Sequence, residues 1–289
     1  MTLPAGCLTT RDARDQTSCL PHSDLRSDPN RSLGLKSQHI LFCRYALIGC
    51  VAIGVGRLLA GDPPPSPPVS QFAPADDLAA QIKLLIGGCG TLVESEEGYQ
   101  ADANKLRRDA HTLAALALVL GMHDSEHSLR VAAPSLVAAA QALAQAKDYS
   151  TAKQAVMSLQ KAAAGDGGAV DGQLKWEKVA GLGELMKQVT ATNTRLKRGL
   201  KRFDDKKDEN ARDAAVLAAI AQMAVYDTHE VKRPEDLDQW YQFCGQMRDA
   251  AGELNAKVKA ADKEGAGTAM AKLGKSCDAC HAVFHKELK

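Results

Sequence analysis

Aromatic residues are scarce in this 289-residue chain, 4% against 45% apolar residues in all. The apolar content is mostly Ala, Leu and Val, a mixture that suits helices packed closely on small side chains and argues against sheets. A charge of one sign is lacking too. The formal net charge is +1, so nothing in the overall balance points to nucleic acid. Long hydrophobic runs are absent. Ala46 to Val55 is an apolar run of ten, and Arg57 stops it short of the roughly 20 residues that a membrane span takes. No Ser/His/Asp order, Gly-rich phosphate loop or paired-carboxylate signature occurs, so a hydrolase or kinase has no support and the chain is not read as an enzyme. The eight cysteines are scattered rather than arranged as a disulfide framework. Cys7, Cys19, Cys43 and Cys50 precede any folded-looking segment. Cys89 and Cys244 stand alone and read as buried small hydrophobes.

Only the last pair of cysteines is spaced for chemistry. Cys277-Asp278-Ala279-Cys280-His281 is Cys-x-x-Cys-His, the attachment signature of a c-type haem. Two thiols add across the two vinyl groups, and the adjacent imidazole then lies close enough to bind the iron from one side. Three fixed residues, each at 8 in 289, over about 285 start points give roughly 0.006 chance occurrences. Three other readings stand beside this one. A thioredoxin-like pair needs a βαβ setting, whereas Gly267 to Ser276 reads as helix. A zinc site could use Cys277, Cys280, His281 and His285, but structural zinc draws its ligands from two separated elements. A plain disulfide leaves His281 unexplained. Haem c, one per chain and covalently attached, is the expectation.

The front of the chain agrees with it. Residues 1–43 are polar and without period, and read as disordered or as an over-extended start. Residues 44–61 have the proportions of a signal peptide or an uncleaved membrane anchor. Asp62 stands where a lipoprotein would carry its Cys. Haem is attached to such motifs outside the cytoplasmic membrane, so a periplasmic location, or one on the outer face of that membrane, is expected. Residues 62–75 include five prolines in six positions, Pro63 to Pro68, and read as a semi-rigid spacer.

The remainder reads as all-α, two tandem antiparallel four-helix bundles. Residues 76–164 give helices over Asp77 to Val93, Asp102 to Met122, Pro134 to Ala146 and Ser150 to Ala164. After a Gly-rich linker, 165–173, residues 174–289 repeat the order: Leu174 to Phe203, Asn210 to Val225, Pro234 to Ala261 and Gly267 to Glu287. Arg108-Asp109-Ala110 aligns with Arg212-Asp213-Ala214, and Leu159 with Leu273. In that register Ala163, Asp166 and Gly167 replace Cys277, Cys280 and His281, so the first repeat is haem-less. It is expected to fold alone.

A four-helix bundle with Cys-x-x-Cys-His near the end of its last helix resembles cytochrome c prime and its low-spin relatives. Lys175-Trp176, Pro234 with Trp240 and Phe243, Met247-Arg248-Asp249 and Ser276 carry the rest of the likeness, which covers Leu174 to Lys289 well and the first repeat only as a degenerate copy. The resemblance implies Cys277 and Cys280 as thioether anchors and His281 as proximal iron ligand. It implies one-electron transfer with a redox partner protein. The alternative is binding of a diatomic gas, nitric oxide or carbon monoxide, at a five-coordinate iron; a peroxidase is disfavoured because the first helix offers no distal His. Its register puts Gly181 or Leu182 near the distal face, which leaves the sixth position without a side-chain ligand; Met186, one turn on, is the only sixth ligand that helix offers and otherwise reads as a core methionine. His285, where the family often has Arg, is expected on the proximal side, and histidine unlike Arg changes charge between about pH 5 and 8. A dimer and a membrane tether remain open expectations. The basic stretch Arg195 to Phe203 reads as a solvated face, and His111, His123 and His127 as ordinary helix or loop residues.

Overall fold

The computed structural model describes residues 61–167 and 173–285. The expected N-terminal segment 1–43 and, Gly61 apart, the export segment 44–61 lie outside the described residues. Among the described residues every regular element is helical: α1 (Ala75–Leu92), α2 (Glu96–Gly121), α3 (Ala133–Gln145), α4 (Tyr149–Ala164), α5 (Leu182–Gly199), α6 (Lys207–Ala224), α7 (Leu237–Lys259) and α8 (Lys263–Phe284), with short 3-10 turns between some of them. The protein is all-α, and none of these helices is long and apolar enough to cross a membrane.

Local chemistry sets the boundaries. Ser95 caps α2 by accepting from the Gly98 N–H at 3.1 Å. Asp148 and Asp262, which align in the repeat, cap α4 and α8 by accepting from the N–H groups of Thr151 and Gly265, each at 2.8 Å. Residues 96–101, left outside the expected second helix, instead open α2, and the break falls at Asp102, whose φ of −125° and ψ of 23° kink the helix.

α2 and α6 are apolar nearly all the way round. Thr112 to Leu120 and Asp213 to Ala224 are buried without a gap, the pattern of helices surrounded on every side. The many alanines let neighbours approach closely enough for that. The order α1 to α4 and α5 to α8 follows the two repeats, but they are not separate bundles on a string. α1 lies on α6 as α5 lies on α2, and α2 meets α6, the reciprocal pairing of a two-fold interface. One continuous buried cluster, from Val69 to Leu273, runs through both.

The segments leading into each repeat also cross to the other one. The proline-rich segment lies against α7: Tyr241 donates its hydroxyl to the Gly61 carbonyl at 2.9 Å, and Phe72 sits so close to Gly252 that a Cβ there would come within 2.9 Å of its backbone. Residues 174–181, expected as the start of the fifth helix, are not helical, and α5 begins at Leu182. Side chains of the first repeat take its backbone groups. Gln141 donates to the Val179 carbonyl at 3.3 Å, and the Gly181 N–H donates to His111 Nδ1 at 3.2 Å. Trp176 stacks on Tyr226 with centroids 5.8 Å apart.

Candidate functional site

Cys-x-x-Cys-His lies near the end of α8, which continues as a helix to Phe284. Ser276, buried just before it, donates its hydroxyl to the Leu273 carbonyl at 2.8 Å. The motif divides the helix surface. Cys277 and Cys280 are half-buried, whereas His281 and His285 are exposed, their rings edge-to-face with centroids 5.6 Å apart. His285 is thus a neighbour of His281, on the outward side of α8. With thiols turned in and imidazoles turned out, the four residues do not converge, and among the described residues no group of His, Cys, Asp or Glu is arranged to hold a metal on its own. That removes the geometric basis for the zinc reading. Absence of any nearby strand removes the thioredoxin-like one.

The thiols enter two different surroundings. Cys277 packs against the main core. Cys280 packs against a second, smaller cluster of Leu182, Ala224, Val225, Trp240, Tyr241 and Cys244, which Phe284 also covers. Trp240 is fixed there by donation of its indole N–H to the Ala224 carbonyl at 3.0 Å and by Phe284, edge-to-face at 5.1 Å. Burial pushes both thiols up; Cys277 is partly offset by Ser276 and Lys197, while Cys280 reaches about 11, the Cys277 sulfur adding to burial.

Across from them stands α5. In the first repeat α4 closes against α1, but α8 makes no comparable seam with α5. The motif thus borders the least tightly packed helix seam of its repeat. Met186, half-buried on α5, packs against both clusters, the same two that receive Cys277 and Cys280. Leu182, one turn earlier, is buried in the second cluster. Gly181 is turned away, its missing Cβ pointing toward His111 of the first repeat at 3.8 Å. Of the residues expected at the sixth position, the fold keeps Met186 and Leu182 at the seam and removes Gly181.

Leu182 owes its place to Asp227, whose buried carboxylate accepts from the Leu182 N–H at 3.0 Å and pairs with Lys178 at 2.9 Å and His229 at 2.8 Å. The aligned position in the first repeat is His123. Its Nδ1 accepts from the Ser125 N–H at 2.9 Å, so its Nε2–H donates to the Ala73 carbonyl at 3.1 Å. Sequence reasoning missed this pair of anchors; the shared distance of each from its Arg-Asp pair, Arg108-Asp109 or Arg212-Asp213, is the signal that could have found it.

The remaining candidates fall where expected. Cys89 is fully buried, its thiol pushed up to about 12 by burial and by Asp109. Within the basic stretch, Leu196 and Phe203 are buried while Lys197, Arg198 and Lys201 face outward. Arg195 grips Asp213 with its Nε at 2.7 Å.

Compared with known proteins, the chain matches no family model, no curated protein and no solved structure.

Proposed function

We propose that the protein is an exported monohaem c-type cytochrome that carries single electrons, with a haem-less copy of its own bundle built in. The observation that supports this best is the placement of Cys277 and Cys280, side by side on α8, half-buried, and bordering the loosely packed α5–α8 seam. The two thiols would hold haem c by two thioether bonds, and His281, exposed beside Cys280, would bind its iron once its imidazole turns from the outward side of α8 toward the thiols. When bound, the haem supplies a reversible one-electron couple. The chain's part is to fix the orientation through α8, to exclude water with Trp240, Leu182 and Phe284, and to offer the axial ligand. Attachment of such a group takes place outside the cytoplasmic membrane, which favours the periplasm or the outer face of the cytoplasmic membrane, with a redox protein as the partner.

Met186 is the candidate sixth ligand, because it lies between the surroundings of both thiols. Leu182, buried one turn away, supports the second reading: an apolar residue at that place leaves the iron open to a diatomic gas. Optical spectra of the oxidised, reduced and carbon monoxide-treated protein separate the two. For the electron carrier, the wild type is low-spin and Met186→Ala turns high-spin and binds carbon monoxide. A wild type that is already high-spin and binds carbon monoxide would move the function to gas binding. Haem released by acid–acetone extraction would remove the cytochrome reading altogether.

A further inference from the structure

Cys244 has no part in the attachment motif, yet it stands opposite Cys280. α7 and α8 run antiparallel, and their pairing is fixed at two places. Trp240 meets Phe284 at 5.1 Å between ring centroids, and Lys272 Nζ lies 2.8 and 2.9 Å from the Glu253 carboxylate oxygens. One helical turn from the first pair toward the second brings Trp240 to Cys244 on α7 and Phe284 to Cys280 on α8. The two sulfurs therefore share one level of the seam. Cys280 packs against the cluster that buries Cys244, and both are free thiols.

Cys277, the other thiol near Cys280, is poorly placed to join it. Residues three apart on one helix hold their Cβ atoms about 5–6 Å apart, while a disulfide needs about 3.5–4.5 Å. α8 runs unbroken through both residues and on to Phe284, so that bond would cost helix. A bond from Cys280 to Cys244 crosses between two intact helices instead.

We infer that Cys244 and Cys280 are a redox pair: in the haem-free chain an external disulfide oxidises them to an interhelical Cys244–Cys280 bond, which withdraws Cys280 from the attachment motif. The consequence for attachment rests on the function proposed above; the bond itself does not. In the first step the Cys280 thiolate attacks one sulfur of the external disulfide and expels a thiolate. The Cys244 thiolate then attacks the Cys280 sulfur of the mixed disulfide and expels the second. Two electrons leave the protein, the two thiol protons pass to the expelled thiolates, and the oxidant departs as two thiols. Half-buried Cys280 is reached first, and buried Cys244 resolves it.

The test uses the full chain made without haem, treated with glutathione disulfide, blocked by alkylation and cleaved before aspartate. Cleavage at Asp278 separates Cys277 from Cys280, and Asp238 begins the peptide that carries Cys244. The expected product joins residues 238–248 to 278–289, disappears on reduction, and is absent from Cys244→Ser. In haem-loaded protein Cys244 is alkylated in full. A Cys277–Cys280 bond in its place, a bond from Cys280 to one of the N-terminal cysteines, or a glutathione adduct on Cys280 that never resolves would each overturn the pairing. Should the joined peptides form while no preparation ever carries covalent haem, the cytochrome reading fails and the redox pair stands.

Discussion

The two repeats agree over most of their length and part company at one end. Their first helices are both 18 residues long, with Leu78 and Leu185, and Gln81 and Gln188, buried at matching positions. Their fourth helices start from aligned aspartate caps. α4 then stops at Ala164, one residue beyond the counterpart of Cys277, where Gly165 takes a left-handed conformation at φ +91°. α8 continues to Phe284. α3 has 13 residues and α7 has 23. The added lengths of α7 and α8 meet, and Trp240, Tyr241 and Cys244 with Cys280 and Phe284 form the second apolar cluster. What separates the repeats is thus more than three side chains. The attachment motif comes with extra helical turns, a cluster to receive them and a looser seam to α5, while the first repeat closes α4 on α1 and serves as the packing partner.

The sharpest way to break that comparison is to move the motif. The triple substitution Ala163→Cys, Asp166→Cys and Gly167→His gives the first repeat the right residues in the right register. It should still carry no second haem, because α4 ends before the second cysteine and the α1–α4 seam is closed. Cys277→Ala with Cys280→Ala should reduce covalent haem from one per chain to none. Pyridine haemochrome absorbance per chain reads both. A doubly loaded triple variant would mean that side chains alone make the difference.

A second test asks whether the repeats are independent. Asn255 on α7 donates to Asp77 on α1 at 2.7 Å and to the Ala211 carbonyl at 2.7 Å, and Lys259 reaches the same carboxylate at 2.9 Å. Asp77→Ala leaves the buried Asn255 amide short of a partner, at a cost of about 1–3 kcal/mol. Because one core joins the repeats, the whole calorimetric transition should move down as a single peak. Residues 76–164 made alone should have lost much of their helix, contrary to the sequence-based expectation. Two peaks, of which Asp77→Ala moves one, would restore two separate domains.

Much of this was legible in the sequence, for identifiable reasons. Spacing of three and four among Leu106, Ala110, Leu113 and Ala117 marks α2, and the Cys-x-x-Cys-His spacing is what the proposed haem attachment rests on. The start of α5 was not legible. Leu174, Trp176, Val179 and Ala180 offer no breaker before Gly181, and the groups that hold them extended belong to Gln141 and His111, 38 and 70 positions away. The cross-repeat core was hidden in part. Its signal was present in the all-round apolar runs of α2 and α6, which no single four-helix bundle needs. The opposition of Cys244 and Cys280 needed the register of α7 against α8, which two separated side-chain pairs reveal only in three dimensions.

The smallest expected effect concerns the anchors of the two lead-in segments, and it sharpens how alike the repeats remain. In the first, Asp124 accepts from the backbone N–H of Ser70 at 2.8 Å and from the Ser70 hydroxyl. The hydroxyl first, and the N–H after it, hold its carboxyl down at about 2. In the second, burial pushes the Asp227 carboxyl up, but Lys178, His229 and the Leu182 N–H together hold it below the usual range. Both folded-state values lie below those of the unfolded chain. Each anchor therefore adds stability that is fully present above about pH 4 and is lost as the pH falls through the lowered value, for Asp124 between about 4 and 2. Asp124 is well exposed, so its share is small. Urea midpoints at pH 5, 3 and 2 should fall less steeply in Asp124→Asn and in Asp227→Asn than in the wild type, and the Asp227→Asn midpoint at pH 5 is already lower. An acid limb unchanged in both variants would mean that neither carboxylate holds its segment, and that the straps are kept in place by Phe72 and Val179 alone.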